Sequence, residues 1–168
     1  MAADSGFLRS GRLFLRDCAD RKEFVTAQCE GLQNLNAVLE KAGAHVGYRV
    51  RDEIVFYLLA NAEAGNPITY AQALDNAVMQ KILPRLQGGS EALRGALSGL
   101  FAKVAGDTAQ AAGETESARM LAVIGTLEAS AEGGRPAGAA RVYCPRSARK
   151  IAQMTARLEE DGFTTYWI

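Results

Sequence analysis

The stretch RKEFVTAQCEGLQNLNAVLEKA, residues 21–42, decides the fold class. Leu32, Leu35 and Leu39 recur at steps of three and four, which places them on one face of a helix. Gly43 is the expected stop, because a residue free to adopt positive φ ends helices well.

The same period returns downstream. A second helix is expected from about Arg49 to Ala64, with Val50, Ile54, Tyr57 and Leu58 as its apolar stripe. Gly65-Asn66-Pro67 ends it, since proline cannot continue the hydrogen-bond ladder. A third spans about Tyr70 to Leu83, with Leu74, Val78 and Ile82 in register, and Pro84 and Gly88-Gly89 break it. Ser90 is the expected N-cap of a fourth helix carrying Leu93, Leu97, Leu100 and Val104. Met120, Ile124 and Leu127 mark a fifth, from about Glu116 to Ala131.

Residues 132–140 are rich in glycine and alanine and read as a flexible linker. Ser147 is then the expected cap of a last helix, with Ile151, Met154 and Leu158 inward and Gly162 at its end. Phe163 to Trp167 has the β-branched and aromatic content of a strand, with Arg141-Val142-Tyr143 as its nearest partner. Residues 1–16 give no decided pattern, and Arg12 to Arg16 reads equally as a short strand or a helix start. The predicted fold is all-α, a bundle of about six helices with at most a small C-terminal strand pair. Residues 1–64 and 65–168 are expected to pack as one unit.

Composition narrows function. The 19 basic and 19 acidic residues cancel, which argues against bulk electrostatic attraction to nucleic acid or membrane. Cys18, Cys29 and Cys144 are an odd number without C-x-x-C spacing, as suits a reduced compartment. No apolar run approaches the ~18 residues that span a bilayer, so the expected location is cytoplasmic.

Catalytic motifs are missing from the sequence. No G-x-x-x-x-G-K-[ST] loop is present to cradle phosphates, and none of the five lysines follows a glycine. Asp52-Glu53 is not the end of a buried strand, because Val50-Arg51 precedes it and the segment has helical period. His45, the single histidine, has no Cys or His cluster for a metal site. There is no G-x-S-x-G, and carboxylates are scattered singly. The chain alone is therefore not expected to be an enzyme or to bind a cofactor.

Three blocks carry a resemblance. The first is Leu35-Asn36-Ala37-Val38-Leu39-Glu40 followed by Val46 to Ile54. The second is Ala73-Leu74-Asp75 with Gln80-Lys81-Ile82-Leu83-Pro84-Arg85-Leu86-Gln87-Gly88. The third is Cys144-Pro145-Arg146-Ser147-Ala148-Arg149-Lys150-Ile151 with Met154, Leu158 and Asp161-Gly162-Phe163. In this order they resemble the C-terminal part of McrB-type AAA+ ATPases, the motor subunits of modification-dependent restriction systems. The likeness covers residues 32–168 and omits the family's Walker A, Walker B and arginine-finger region.

The resemblance implies a helical lid and C-terminal extension, with the motor supplied by an AAA+ core domain or subunit. It implies ATP or GTP with magnesium in the assembled motor, and possible homo-oligomers. Gly47-Tyr48-Arg49 matches the G-x-R pattern of the sensor-2 element, so Gly47 and Arg49 are the candidate nucleotide-sensing residues. Arg49 falls in the first turn of a helix, where backbone N–H groups already favour an anion. Its guanidinium suits a phosphate, and the alternative is a surface ion pair with Glu53 one turn on. Arg51 is expected on solvated surface.

Arg141, Arg146, Arg149 and Lys150 form a second candidate cluster, for nucleic acid or a neighbouring subunit. Its alternative is a solvated helix face beside Glu159 and Glu160. Tyr166 and Trp167 are expected in packing, or as an exposed anchor. Three functions stay open: a lid and assembly module in DNA restriction or defence, a stand-alone helical adaptor, and a small helical DNA-binding module.

Overall fold

A computed structural model describes residues 20–105, 112–132 and 142–167. Six α-helices run in chain order: α1 Lys22–Glu40, α2 Tyr48–Glu63, α3 Tyr70–Ala77, α4 Glu91–Ala105, α5 Glu116–Glu132 and α6 Pro145–Asp161. Two short strands, β1 Gln87–Gly88 and β2 Thr164–Thr165, pair antiparallel. The all-α reading holds. The expected linker at 132–140 and the segment 1–16 fall almost wholly outside the described residues.

The periods seen in the sequence place the core. Leu32, Leu35 and Leu39 of α1 are buried, as are Leu93, Leu97, Leu100 and Val104 of α4 and Ile151, Met154 and Leu158 of α6. They join one apolar cluster that draws residues from all six helices. The α2 stripe is rotated from expectation: Ile54, Val55, Leu58 and Leu59 are buried, while Tyr57 is exposed. The Leu58-Leu59 and Ile54-Val55 pairs make a broader face than a single three-four row.

Helix ends follow local chemistry in three places. Thr69 and Gln72 form a reciprocal capping box at α3. The Ser90 hydroxyl accepts the Leu93 amide at 3.1 Å, as expected. Gly162 ends α6 at φ 70°, the left-handed region that a side chain disfavours.

The third helix does not stay α to Leu83. It widens into a π turn at Val78–Ile82, where the Leu83 amide reaches back five residues to the Val78 carbonyl, and tightens into a 3₁₀ turn at Leu83–Arg85. Pro84 is the cause, since its ring lacks an N–H and clashes with the carbonyl four residues back. The turn leads directly into β1.

Two corrections concern the chain's last quarter. Ser147 does not cap α6, which begins earlier at Pro145. The cap comes from α3: buried Asp75 accepts the Arg146 amide at 2.9 Å and the Ser147 amide at 2.8 Å, with the Ser147 hydroxyl at 2.5 Å. The partner of β2 is β1, and Val142-Tyr143 is not a strand. The pairing depends on close backbones: a Cβ at Gly89 would lie 2.2 Å from the Gly162 carbonyl oxygen.

A second carboxylate caps α5 in the same way. Glu159 accepts the Glu116 and Ser117 amides at 2.9 and 3.3 Å and a short hydrogen bond from the Ser117 hydroxyl. At the other end of this pair, Arg149 meets Glu128 at 2.5 Å. The two ties bring 116 to 159 and 128 to 149, so α5 and α6 run antiparallel.

Candidate functional site

The start of α2 has an electrostatic character set by its first residues. Gly47 brings the chain in extended at ψ 172° and has no side chain with which to cap. Its carbonyl takes the Val50 and Arg51 amides. No acidic residue lies in the first turn, so the positive end of the helix dipole stays uncompensated there. The loop before it is held by Asn36 of α1, whose side-chain oxygen accepts the Val46 amide at 2.6 Å.

Between α1 and this turn lies a hollow of about 390 Å³. Leu32, Gln33 and Asn36 wall it from α1, and His45, Val46, Gly47, Tyr48 and Arg51 from the loop and α2. Tyr48 is 80% exposed, with the Arg51 guanidinium 4.9 Å from its ring centroid. The hollow thus joins Leu32 and two side-chain amides of α1, an exposed aromatic ring and one cation, Arg51, at a helix N-terminus.

Arg49 projects from this turn with 84% of its side chain exposed. Its Nε donates to Glu53 at 3.1 Å. Glu53 holds a second cation, for Lys81 Nζ donates to its other oxygen at 2.8 Å. The Lys81 hydrogen bond, opposed in part by burial and then aided by Arg49, keeps the Glu53 carboxyl below its ordinary range. Arg49 therefore makes the surface pair with Glu53 that was its alternative reading, in the first turn of α2.

Arg51 is not on solvated surface. Its side chain is 28% exposed, and Nε and a terminal nitrogen donate to Asp52 at 2.8 and 2.5 Å. Asp52 is buried, so Arg51 neutralises a carboxylate that has left water.

The second candidate cluster is only partly gathered. Arg141 lies outside the described residues. Arg146, Arg149 and Lys150 come together on one side of α6, facing a groove shared with α5 and the π turn. Arg146 and Arg149 are exposed, as the solvated-face alternative expected, while Glu159 reaches the start of α5. Each has an internal partner: Arg146 donates to Asn76 at 2.7 Å, Arg149 to Glu128, and Lys150 to Gln153 at 3.2 Å. Lys150 also sits 5.2 Å from the Tyr166 ring. Burial, then the charge of Arg157, pulls the Lys150 pKa down.

The remaining singled-out residues sort by burial. Cys144 is buried, and burial with the nearby Asp75 charge pushes its thiol up to about 12, which makes it unreactive. Cys29 is half-buried, and Cys18 lies outside the described residues. Tyr166 packs on the core, but Trp167 is 76% exposed and meets Tyr166 edge-on at 5.0 Å. His45, read from the sequence as lacking partners for a metal site, lines the hollow. Lys81 was visible in the second resemblance block, but its pairing with Glu53 over 28 positions leaves no local trace in sequence.

A family model described as a domain of unknown function, DUF8727, matches residues 6–163. No curated protein and no solved structure matches the chain.

Proposed function

The chain belongs to the DUF8727 family, and we propose that it acts as a nucleotide-responsive helical lid and assembly module for an AAA+ motor of the McrB type, in DNA restriction or defence. The observation that carries this reading is the Arg49–Glu53–Lys81 arrangement at the start of α2. An incoming phosphate competes with Glu53 for Arg49. Glu53 keeps Lys81 as its counter-ion when Arg49 leaves, so the exchange strands no charge. The pair given up is exposed, and such pairs contribute only about 0–1 kcal/mol. The uncompensated first turn of α2 adds its backbone N–H groups to the same anion.

In this mechanism the AAA+ core binds ATP or GTP with magnesium and presents the terminal phosphate to Arg49. The bidentate guanidinium then draws α2 onto the core, and loss of the phosphate releases it. The chain supplies the arm of the switch rather than the hydrolytic groups. The resemblance blocks and the G-x-R spacing support the assignment of the partner class.

The test joins this chain to its AAA+ core and substitutes Arg49→Ala. Losing a charge-assisted hydrogen bond to phosphate removes roughly 1.5–3 kcal/mol, a loss of about tenfold to a hundredfold in nucleotide-dependent assembly or turnover. Arg85→Ala, an exposed arginine outside the hollow, serves as the control and leaves both unchanged. Unaltered assembly and turnover in Arg49→Ala would falsify the assignment.

A further inference from the structure

A second surface lies on the antiparallel α5–α6 pair, apart from the hollow. Met79 of the π turn and Leu121 and Ile124 of α5 supply its apolar lining, in a groove of about 660 Å³. Leu121 is 56% exposed, a large aliphatic side chain held toward water on a helix where Met120, Val123 and Ile124 are buried and Leu127 is half-buried. Along one rim stand Arg146, Arg149 and Lys150, all from α6. Against these three cations the groove has one carboxylate, Glu128.

The helical spacing of both walls defines the shape of an occupant. Leu121, Ile124, Gly125 and Glu128 fall at i, i+3, i+4 and i+7 on α5, and Arg146, Arg149, Lys150 and Gln153 repeat that spacing on α6. Gly125 has no side chain, and a Cβ there would meet nothing within 4 Å, so the middle of the groove is open. Two walls of about two helical turns, roughly 10 Å at 1.5 Å per residue, match one face of a short amphipathic helix.

Charge chooses among partners. The cations exceed the carboxylates in the groove by two, three against one, while the whole chain has net charge zero. An acidic partner is therefore attracted to this face and not to the molecule at large. Nucleic acid fits less well: Glu128 sits among the cations, and the exposed Leu121 and half-buried Met79 offer nothing to a phosphate backbone.

We propose that the groove between α5, α6 and the π turn is a docking site for an acidic amphipathic helix of a partner protein, with Leu121 as its apolar anchor and Arg149 exchanging Glu128 for a partner carboxylate. The partner helix lays aliphatic residues at i, i+3 or i+4 and i+7 against Met79, Leu121 and Ile124. Its flanking glutamates or aspartates meet the α6 rim. This contact is independent of the Arg49 switch, so either can fail without the other.

The experiment uses the full chain and a short fluorescein-labelled peptide with leucines at helical spacing and glutamates between them. One comparison peptide has lysine for every glutamate, and another has the same composition in an order that breaks the spacing. Fluorescence anisotropy at ~150 mM salt is expected to show saturable binding of the acidic peptide, at least about tenfold tighter than either comparison. Leu121→Asp and Arg149→Gln each weaken it about tenfold or more, with unchanged far-UV circular dichroism. Lys41→Glu, a charge reversal at the end of α1, leaves it intact. Absence of saturable binding up to about 1 mM peptide overturns the proposal. So does equal binding of the lysine peptide, or indifference to Leu121→Asp. Tighter binding of a duplex oligonucleotide that disappears in Arg149→Gln assigns the groove to phosphate and overturns it as well.

Discussion

Arg49 and Arg51 are chemically identical and two positions apart, yet α2 gives them opposite tasks. At 3.6 residues per turn the separation is about 200° around the axis. Arg49 therefore points to water, held only by Glu53, whereas Arg51 lies back between the Tyr48 ring and the buried Asp52. Removing Arg51 leaves the Asp52 carboxylate out of water without its cation. Arg51→Ala is expected to lower unfolding stability by about 1–3 kcal/mol, and Arg49→Ala by less than about 0.5 kcal/mol. Urea denaturation of the two variants decides the matter: equal midpoints would mean that Asp52 is satisfied without Arg51. The G-x-R match was legible from three letters; the role of Arg51 was not, because a one-residue offset on a helix is silent until the inward face is known.

Elements in this protein are finished by residues far away in the chain. The sequence pointed to Ser147 as the cap of α6 through its residue type alone, and Ser147 does take part, as a donor to Asp75 instead of an acceptor at the helix start. Carboxylates from other helices do the capping, Asp75 for α6 and Glu159 for α5. Burial alone would raise the Glu159 pKa, but the side-chain and backbone hydrogen bonds from Ser117, the Glu116 amide and the Arg94 charge outweigh it and bring the pKa down. A carboxylate with a depressed folded-state pKa stabilises fully above its unfolded value, ~4.3 for glutamate, and loses that contribution as pH falls through the folded value. Wild-type thermal stability is thus expected to drop below about pH 4.3 more steeply than that of Glu159→Gln, which lacks this titration. Parallel curves for the two proteins would show that Glu159 is not a working cap.

At the scale of the whole molecule, the three sequence blocks quoted above touch one another. Lys81 of the second block holds Glu53 of the first, Asp75 caps the helix that opens the third, and β1 pairs with β2 so that Gly89 lies on Gly162. These blocks are therefore stitched into one core. Asp75→Ala removes hydrogen bonds to two amides and a hydroxyl in a buried place, and leaves those donors unpaired. The expected loss is about 2–4 kcal/mol, shared by the entire fold. Far-UV circular dichroism and tyrosine fluorescence should then fall together at a lower denaturant midpoint. A loss confined to one probe would show that α6 unfolds separately from the rest.

The helices themselves were written locally: the apolar periods of α1, α4 and α6, the Ser90 cap, the Pro84 break and the Gly162 end depend on residues within a few positions of each other. Local geometry suffices for them because a helix closes its hydrogen bonds over four residues. The strand pairing, the remote caps, the Glu53–Lys81 pair and the groove on α5 and α6 join positions from 21 residues apart, at Glu128–Arg149, to 78 apart, at Gln87–Thr165. No period or spacing rule constrains such pairs. They exist only once burial of the apolar faces has chosen how the helices lie, and charge then settles into the places that packing leaves open.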